Sequence, residues 1–195
     1  DLGILYQKSS LNLLIVCGLV FLLIVFNLSD FYSFIPITYK EGYYVVLIIS
    51  FTKLYNAFLG NIDGIIFNSK YYNFIVFIGA ILIFTTIYLN YILIPLYGIE
   101  GAAISSLIAV CLYNSVKVYY VYKKFKLHPV TINTFKVISL ILVGFLISFY
   151  VNFDFDPFLN IILNSILVSF VYISIVVFLK FSVDINNLTN KFLGK

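Results

Sequence analysis

Charged residues are scarce in this sequence, and arginine is absent. Only 10% of the 195 residues are charged and 63% are hydrophobic, whereas an average soluble domain is roughly 25% charged. Such a chain cannot cover its apolar surface in water. The formal net charge of +4 comes from lysine, which lacks the planar fork that arginine offers to phosphate groups. The composition therefore predicts a membrane protein, and nucleic acid is not an expected partner.

Cysteine and histidine are also rare. Cys17 and Cys111 both lie within apolar segments, where thiols behave as small hydrophobic groups. His128 is the single histidine, and a zinc site normally needs several clustered Cys and His ligands. The sequence also has no glycine-rich phosphate loop and no catalytic triad. These features predict a protein that is not an enzyme and that uses no metal or cofactor.

What the sequence does have is long apolar runs. Each run is long enough, at ~1.5 Å rise per residue, to cross a ~30 Å hydrocarbon layer as a helix. All four prolines lie between runs, as expected if prolines mark helix ends. The predicted fold is an all-α polytopic membrane protein with six transmembrane helices. The predicted spans are 9–29, 42–60, 72–94, 98–118, 132–151 and 158–179.

Lysines lie in alternate connections between the runs. One set of connections holds Lys8, Lys70, the group 123–126 with Lys136, and the tail lysines 180, 191 and 195. The other set contains Asp30, Lys40 and Glu41, then Glu100, and then Asp154 and Asp156. Lysine-rich connections remain on the cytoplasmic side, where they also meet anionic lipid headgroups. Both termini of the segment are therefore predicted to be cytoplasmic.

Lys53 is the ionisable residue placed near the middle of a run. Together with Ser50, Ala57 and Gly60 it forms a small and polar stripe at helical spacing, and Asn56 lies beside this stripe. One interpretation is a cavity in which Lys53, Ser50 and Asn56 contact an anionic substrate, because a charge at bilayer depth usually faces protein or water. The alternative is that Lys53 extends to the membrane interface.

The fourth run begins with small residues. Gly101, Ser105 and Ala109 are spaced four residues apart and therefore share one helix face. Small residues on one face let a second helix approach closely. We interpret these three residues as a helix-packing surface.

One stretch of the sequence resembles a known family. Residues 90–106 read Asn-Tyr-Ile-Leu-Ile-Pro-Leu-Tyr-Gly-Ile-Glu-Gly-Ala-Ala-Ile-Ser-Ser. This stretch is similar to a segment of bacterial polysaccharide flippases, the O-antigen and capsule repeat-unit exporters of the multidrug/oligosaccharidyl-lipid/polysaccharide superfamily. The matching positions are Asn90, Pro95, Gly98, Gly101 and Ala102. The resemblance extends in layout to essentially the whole chain.

The resemblance implies a fold and a substrate. In the family, two six-helix lobes enclose a cavity, and the matching segment lies in the second lobe. The chain, which begins at Asp1 rather than methionine, would then be a fragment that lacks the N-terminal lobe. The implied substrate is an oligosaccharide on an undecaprenyl diphosphate carrier in the bacterial inner membrane. The implied mechanism is alternating access, with Lys53 as a contact for the diphosphate.

Two other functions remain open. A drug or small-solute exporter of the same superfamily would need cation-coupling carboxylates inside its helices, and the runs show none. An integral-membrane enzyme of envelope polysaccharide synthesis would need paired acidic residues or histidines near one interface, together with a long loop. A structural membrane subunit is a third possibility, which the residues preceding Asp1 would test.

Overall fold

A computed structural model describes residues 2–151 and 155–192, so Asp154 and Lys195 of the charge pattern lie outside the described residues. All regular elements in this part of the chain are helices, and no strand occurs among its residues. The α-helices are α1 (Leu2–Ser33), α2 (Gly42–Phe58), α3 (Ile62–Phe67), α4 (Tyr72–Phe125), α5 (Ile132–Ile147), α6 (Pro157–Phe178) and α7 (Val183–Phe192), and a short 3-10 helix spans Ile37–Tyr39. The predicted all-α class is confirmed.

Among the described residues, three helices are long and apolar enough to cross a membrane. They are α1, α4 and α6, and the shorter α5 is also apolar. Many of their large apolar side chains face outward: Phe77 is 67% exposed and Phe84 is 72% exposed. Apolar surface of this extent is unfavourable in water and favourable in lipid. The structure therefore indicates a membrane-embedded helical protein.

The 54 residues of α4 form a hairpin rather than one straight helix. Gly98 interrupts the helix with φ 58° and ψ −134°, a conformation that glycine adopts without steric cost. The Ser105 hydroxyl donates a hydrogen bond to Asn90 Oδ1, although 15 residues of continuous helix would separate the two by about 22 Å. At the other end, the Phe74 and Tyr120 rings stack with centroids 3.6 Å apart. The arms 72–97 and 99–125 therefore run antiparallel.

The chain divides into two compact units. Unit 1 contains residues 1–7 and 41–129, and unit 2 contains residues 8–40 and 130–195. In unit 1, the first residues of α1 join α2, α3 and α4 around a hydrophobic core. Its buried residues are Tyr6, Leu59, Ile62, Ile66, Ile75 and Val121. The short helix α3 supplies two of these residues, so it anchors the connection between α2 and α4 to the core.

Unit 2 packs α1, α5 and α6 closely. A Cβ added at Gly18 would clash with Ile141 Cδ1, so a larger residue in α1 would require the Ile141 side chain of α5 to shift. The Tyr172 hydroxyl of α6 donates a hydrogen bond to the Ile15 carbonyl oxygen at 2.9 Å. On α1, Asn12 accepts a hydrogen bond from the Ser182 hydroxyl and donates one to Asp184. These contacts join α6 and the start of α7 to α1.

Several helices begin or end at residues other than the predicted ends of the apolar runs. The second arm of α4 continues to Phe125, beyond the predicted end at 118, and Pro95 lies inside the first arm. α5 ends at Ile147 and α2 ends at Phe58, both earlier than predicted. The predictions followed hydrophobicity, whereas helix ends are set by backbone hydrogen bonds and caps. The six-residue helix α3 and the polar helix α7 have no counterpart among the apolar runs, because neither contains a long apolar stretch.

Candidate functional site

The candidate site of unit 1 is a polar cluster centred on Lys117. The side chain of Lys117 is only 4% exposed, and its Nζ donates to Asp63 Oδ1 at 2.8 Å. The Tyr113 ring contacts the same ammonium group, with its centroid 4.3 Å from Nζ. A buried ammonium group needs such partners because desolvation of a charge is costly. Asp63 is half exposed, so its carboxylate connects the buried lysine to the surface.

A pair of amides extends the cluster toward α2. The Asn114 Nδ2 atom donates to Asn56 Oδ1, and Asn114 itself is buried. Next to this pair, the Tyr55 hydroxyl lies 3.4 Å from the Ser115 hydroxyl. Polar contacts therefore join α2 to the second arm of α4.

These side chains line a cavity of about 400 Å³. Its polar lining consists of Asn56, Asp63, Tyr113, Asn114 and Lys117, and the remaining lining residues are apolar except for Gly60. The site has two amides, a carboxylate, an ammonium group and an aromatic ring. Because the lysine and the carboxylate compensate each other, the cavity combines little net charge with many hydrogen-bonding groups. Such a site is suited to a polar, hydroxyl-bearing ligand.

The local sequence explains why Asp63 meets Lys117. Gly60 ends α2 with φ 62°, in the left-handed region where glycine is favoured. Asn61 caps α3, because its side chain accepts a hydrogen bond from the Gly64 N–H at 3.2 Å. Asp63 then lies in the first turn of α3, where the helix dipole favours a carboxylate. The turn residues Gly60 and Asn61 thus position the carboxylate of Asp63.

The structure separates the three residues that the sequence grouped as a cavity. Asn56 lines the cavity. Ser50 is buried, and its hydroxyl donates to the Leu47 carbonyl oxygen at 2.9 Å, within its own helix. Lys53 is exposed and is not among the cavity-lining residues. A contact of Lys53 with substrate stays a prediction.

The three small residues of the predicted packing surface are all buried. Gly101 lies so close to the first arm of α4 that an added Cβ would be 2.1 Å from the Leu93 carbonyl oxygen. Ser105 makes the hydrogen bond to Asn90, and Ala109 is 1% exposed. In the structure, this face of the second arm lies against the first arm at its Gly98 end.

The sequence interpretation missed Lys117 and Asp63. Lys117 lies one residue before the predicted end of the fourth run, and no role is predicted for it from the sequence. Asp63 lies among turn-forming residues between the second and third runs, and it is therefore interpreted from the sequence as part of a turn. The available signal was the spacing of Asn114, Lys117 and Val121, which places a polar pair on the same helix face as an apolar core residue.

No family model, curated protein or solved structure matches this chain. In residues 2–151 and 155–192, no group of three or more His, Cys, Asp and Glu side chains is placed to hold a metal ion.

Proposed function

We propose that this chain is one lobe of an exporter that flips lipid-linked oligosaccharide repeat units across the bacterial inner membrane. The observation that carries this proposal is the polar cavity of unit 1. Its ion pair of Lys117 and Asp63 lies in a protein whose long helices carry many exposed apolar side chains. Ionisable side chains are costly in such a setting and typically mark a substrate or ion pathway.

The proposed topology has six spans, with both termini in the cytoplasm. The spans are α1, α2, the two arms of α4, α5 and α6. α2 has 17 residues and α5 has 16, which gives lengths of about 25 Å at 1.5 Å per residue. Helices slightly shorter than the hydrocarbon layer are accommodated by local thinning and by flanking side chains. The lysines of 123–126 and the tail would then lie on the same side.

The resemblance of residues 90–106 to polysaccharide flippases supports the choice of substrate. Asn90, Gly98 and Gly101, three of the matching positions, build the turn and the close contact of the α4 hairpin. The proposed partners are an oligosaccharide on an undecaprenyl diphosphate carrier, an N-terminal lobe of the same protein, and membrane lipids. The amides and the carboxylate of the cavity are suited to sugar hydroxyls, and Lys53 is proposed as a contact for the diphosphate.

The test uses the bacterium that carries the gene. Deletion of the gene should cause lipid-linked repeat units to accumulate in the cytoplasmic leaflet, and the full-length wild-type protein should restore export. Lys117→Met should fail to restore it, because the cavity then contains an unpaired carboxylate. Lys53→Leu should reduce export while membrane insertion stays intact. Lys123→Met, at an exposed lysine, serves as the matched control and should restore export fully.

The same strain separates the alternatives. If the deletion strain no longer synthesises the lipid-linked unit, rather than accumulating it, the protein is an enzyme and the proposal is contradicted. Unchanged polysaccharide combined with increased drug sensitivity would indicate a drug or small-solute exporter. Full activity of Lys117→Met would remove the cavity from the mechanism, and full activity of Lys53→Leu would remove the proposed contact with the diphosphate.

A further inference from the structure

A second polar cluster lies in unit 2, where α1 and α6 meet. Asn27 and Asp30 are three residues apart on α1, and Asn160 and Asn164 are four residues apart on α6, so each pair shares a helix face. The Asn160 Nδ2 atom donates to Asp30 Oδ1 at 3.2 Å. Two turns of apolar helix therefore bring one carboxylate and three amides together.

Direct hydrogen bonds join the same faces. The Asn27 Nδ2 atom donates to the Ser165 hydroxyl oxygen at 3.1 Å, and the Asn164 Nδ2 atom donates to the Phe26 carbonyl oxygen at 3.4 Å. Asn164 is only 3% exposed. The cluster is thus a built feature of the interface between the two helices rather than a chance meeting of surface side chains.

Two oxygen atoms of this cluster have no donor. Asn27 Oδ1 and Asn164 Oδ1 are both buried and accept no hydrogen bond from the described residues. Exchange of the amide oxygen and nitrogen does not remove the problem. The Asn27 Nδ2 atom also donates to the Leu23 carbonyl oxygen at 2.8 Å, and the Asn164 Nδ2 atom donates to a carbonyl oxygen as well. Backbone carbonyls only accept, so the 2.8 Å contact fixes which amide atom of Asn27 is nitrogen, and the 3.4 Å contact favours the same orientation for Asn164.

Buried acceptors without donors are uncommon in native proteins and call for an explanation. A cation satisfies several oxygen atoms at once, and amide, carbonyl and carboxylate oxygens are the ligands that hard cations prefer. The C-terminal end of α1 contributes partial negative charge to the cluster, and the N-terminal end of α6 contributes partial positive charge. The contributions of the two helix dipoles therefore offset each other. The net charge of the cluster is then set by Asp30, a single negative charge.

We propose that Asn27, Asp30 and Asn164 form a binding site for one monovalent cation, Na⁺, between α1 and α6. One carboxylate balances one positive charge, whereas a divalent ion would leave an uncompensated charge within an apolar helix pair. Water completes the coordination on the exposed side of Asp30. The site stands on the contacts of unit 2 and does not depend on the proposed function. If the protein is an exporter, this ion is a candidate to couple transport.

The test is radioactive sodium binding to the purified full-length protein in detergent, at constant ionic strength with choline as the replacement ion. The wild-type protein should bind Na⁺ saturably. Asp30→Asn and Asn164→Leu should each weaken the affinity for Na⁺ at least tenfold. Asn12→Ala is the matched control: it removes an α1 amide whose oxygen already has the Ser182 hydroxyl as its donor. This variant should bind Na⁺ with unchanged affinity.

Several results would overturn the site. One is no saturable binding by the wild-type protein, which would leave bound water as the partner of the two oxygens. Another is Na⁺ binding by Asp30→Asn and Asn164→Leu with the affinity of the wild-type protein. Displacement of Na⁺ by micromolar Ca²⁺ or Mg²⁺ would overturn the monovalent assignment. If Asp30→Asn fails to fold, as judged by circular dichroism, Asn164→Ala and the wild-type isotherm decide the matter. Because no substrate is present, failure here is distinguishable from failure of the exporter proposal.

Discussion

At the scale of single residues, Lys117 in unit 1 is a charged side chain in a buried position. Its ammonium group is almost fully buried and is compensated by one half-exposed carboxylate. A buried ion pair is weak evidence for stability, because apolar residues of similar size often stabilise a fold equally well. We therefore attribute the pair to function rather than to the stability of the hairpin.

This interpretation predicts that stability and activity respond differently at the two positions. Asp63→Asn should lower the free energy of unfolding by about 1–3 kcal/mol, because it leaves the Lys117 charge buried without a counter-charge. Lys117→Met should cost less than Asp63→Asn, since methionine fills the space without a charge and the carboxylate of Asp63 stays partly hydrated. Both variants should lose export. The measurement is thermal unfolding in detergent together with the export assay in cells.

The double variant provides the control. With both charges removed, the protein should regain most of the stability that Asp63→Asn loses, while export stays absent. If Asp63→Asn and Lys117→Met have additive effects on unfolding in the double variant, the two side chains do not interact in the folded protein.

At the scale of elements, the α4 hairpin depends on the absence of side chains at its turn. Gly101→Ala should lower the free energy of unfolding by about 1–3 kcal/mol, because the new Cβ meets the Leu93 carbonyl oxygen, a backbone atom that does not rotate away. Gly79→Ala in the first arm is the matched control. No atom lies within 4 Å of its added Cβ, and alanine favours helix by up to about 1 kcal/mol. Equal unfolding temperatures for the two variants would contradict the close contact.

The elements also show how far the sequence predicts this protein. The apolar runs locate the long helices, because hydrophobicity and length suffice for that. The tight contact at Gly101 follows from small residues at helical spacing, which the sequence displays. The pairing of Lys117 with Asp63 does not follow, because it joins residues 54 positions apart through a turn whose geometry depends on the Asn61 cap. The sequence also does not predict that the amide oxygens of Asn27 and Asn164 lack hydrogen-bond donors, because the packing of the helices decides which amide atoms have a partner.

At the scale of the whole molecule, the lysine pattern predicts the orientation in the membrane. With Cys17 and Cys111 replaced, a cysteine at Lys124 should resist an impermeant thiol reagent applied to intact cells and react once the cells are permeabilised. A cysteine at Phe155 should react in intact cells. Labelling at position 124 from outside, or protection at 155 that is lost on permeabilisation, would reverse the proposed topology.

The reversal at Gly98 has a consequence for proteases. The chain changes direction through the backbone angles of one glycine, and helix continues on both sides of it. Proteases bind their substrates as several residues of extended chain, and this turn presents none. Digestion of the membrane-embedded protein should therefore leave residues 72–125 as one uncut fragment, detectable by mass spectrometry, even after the connections on either side have been cleaved.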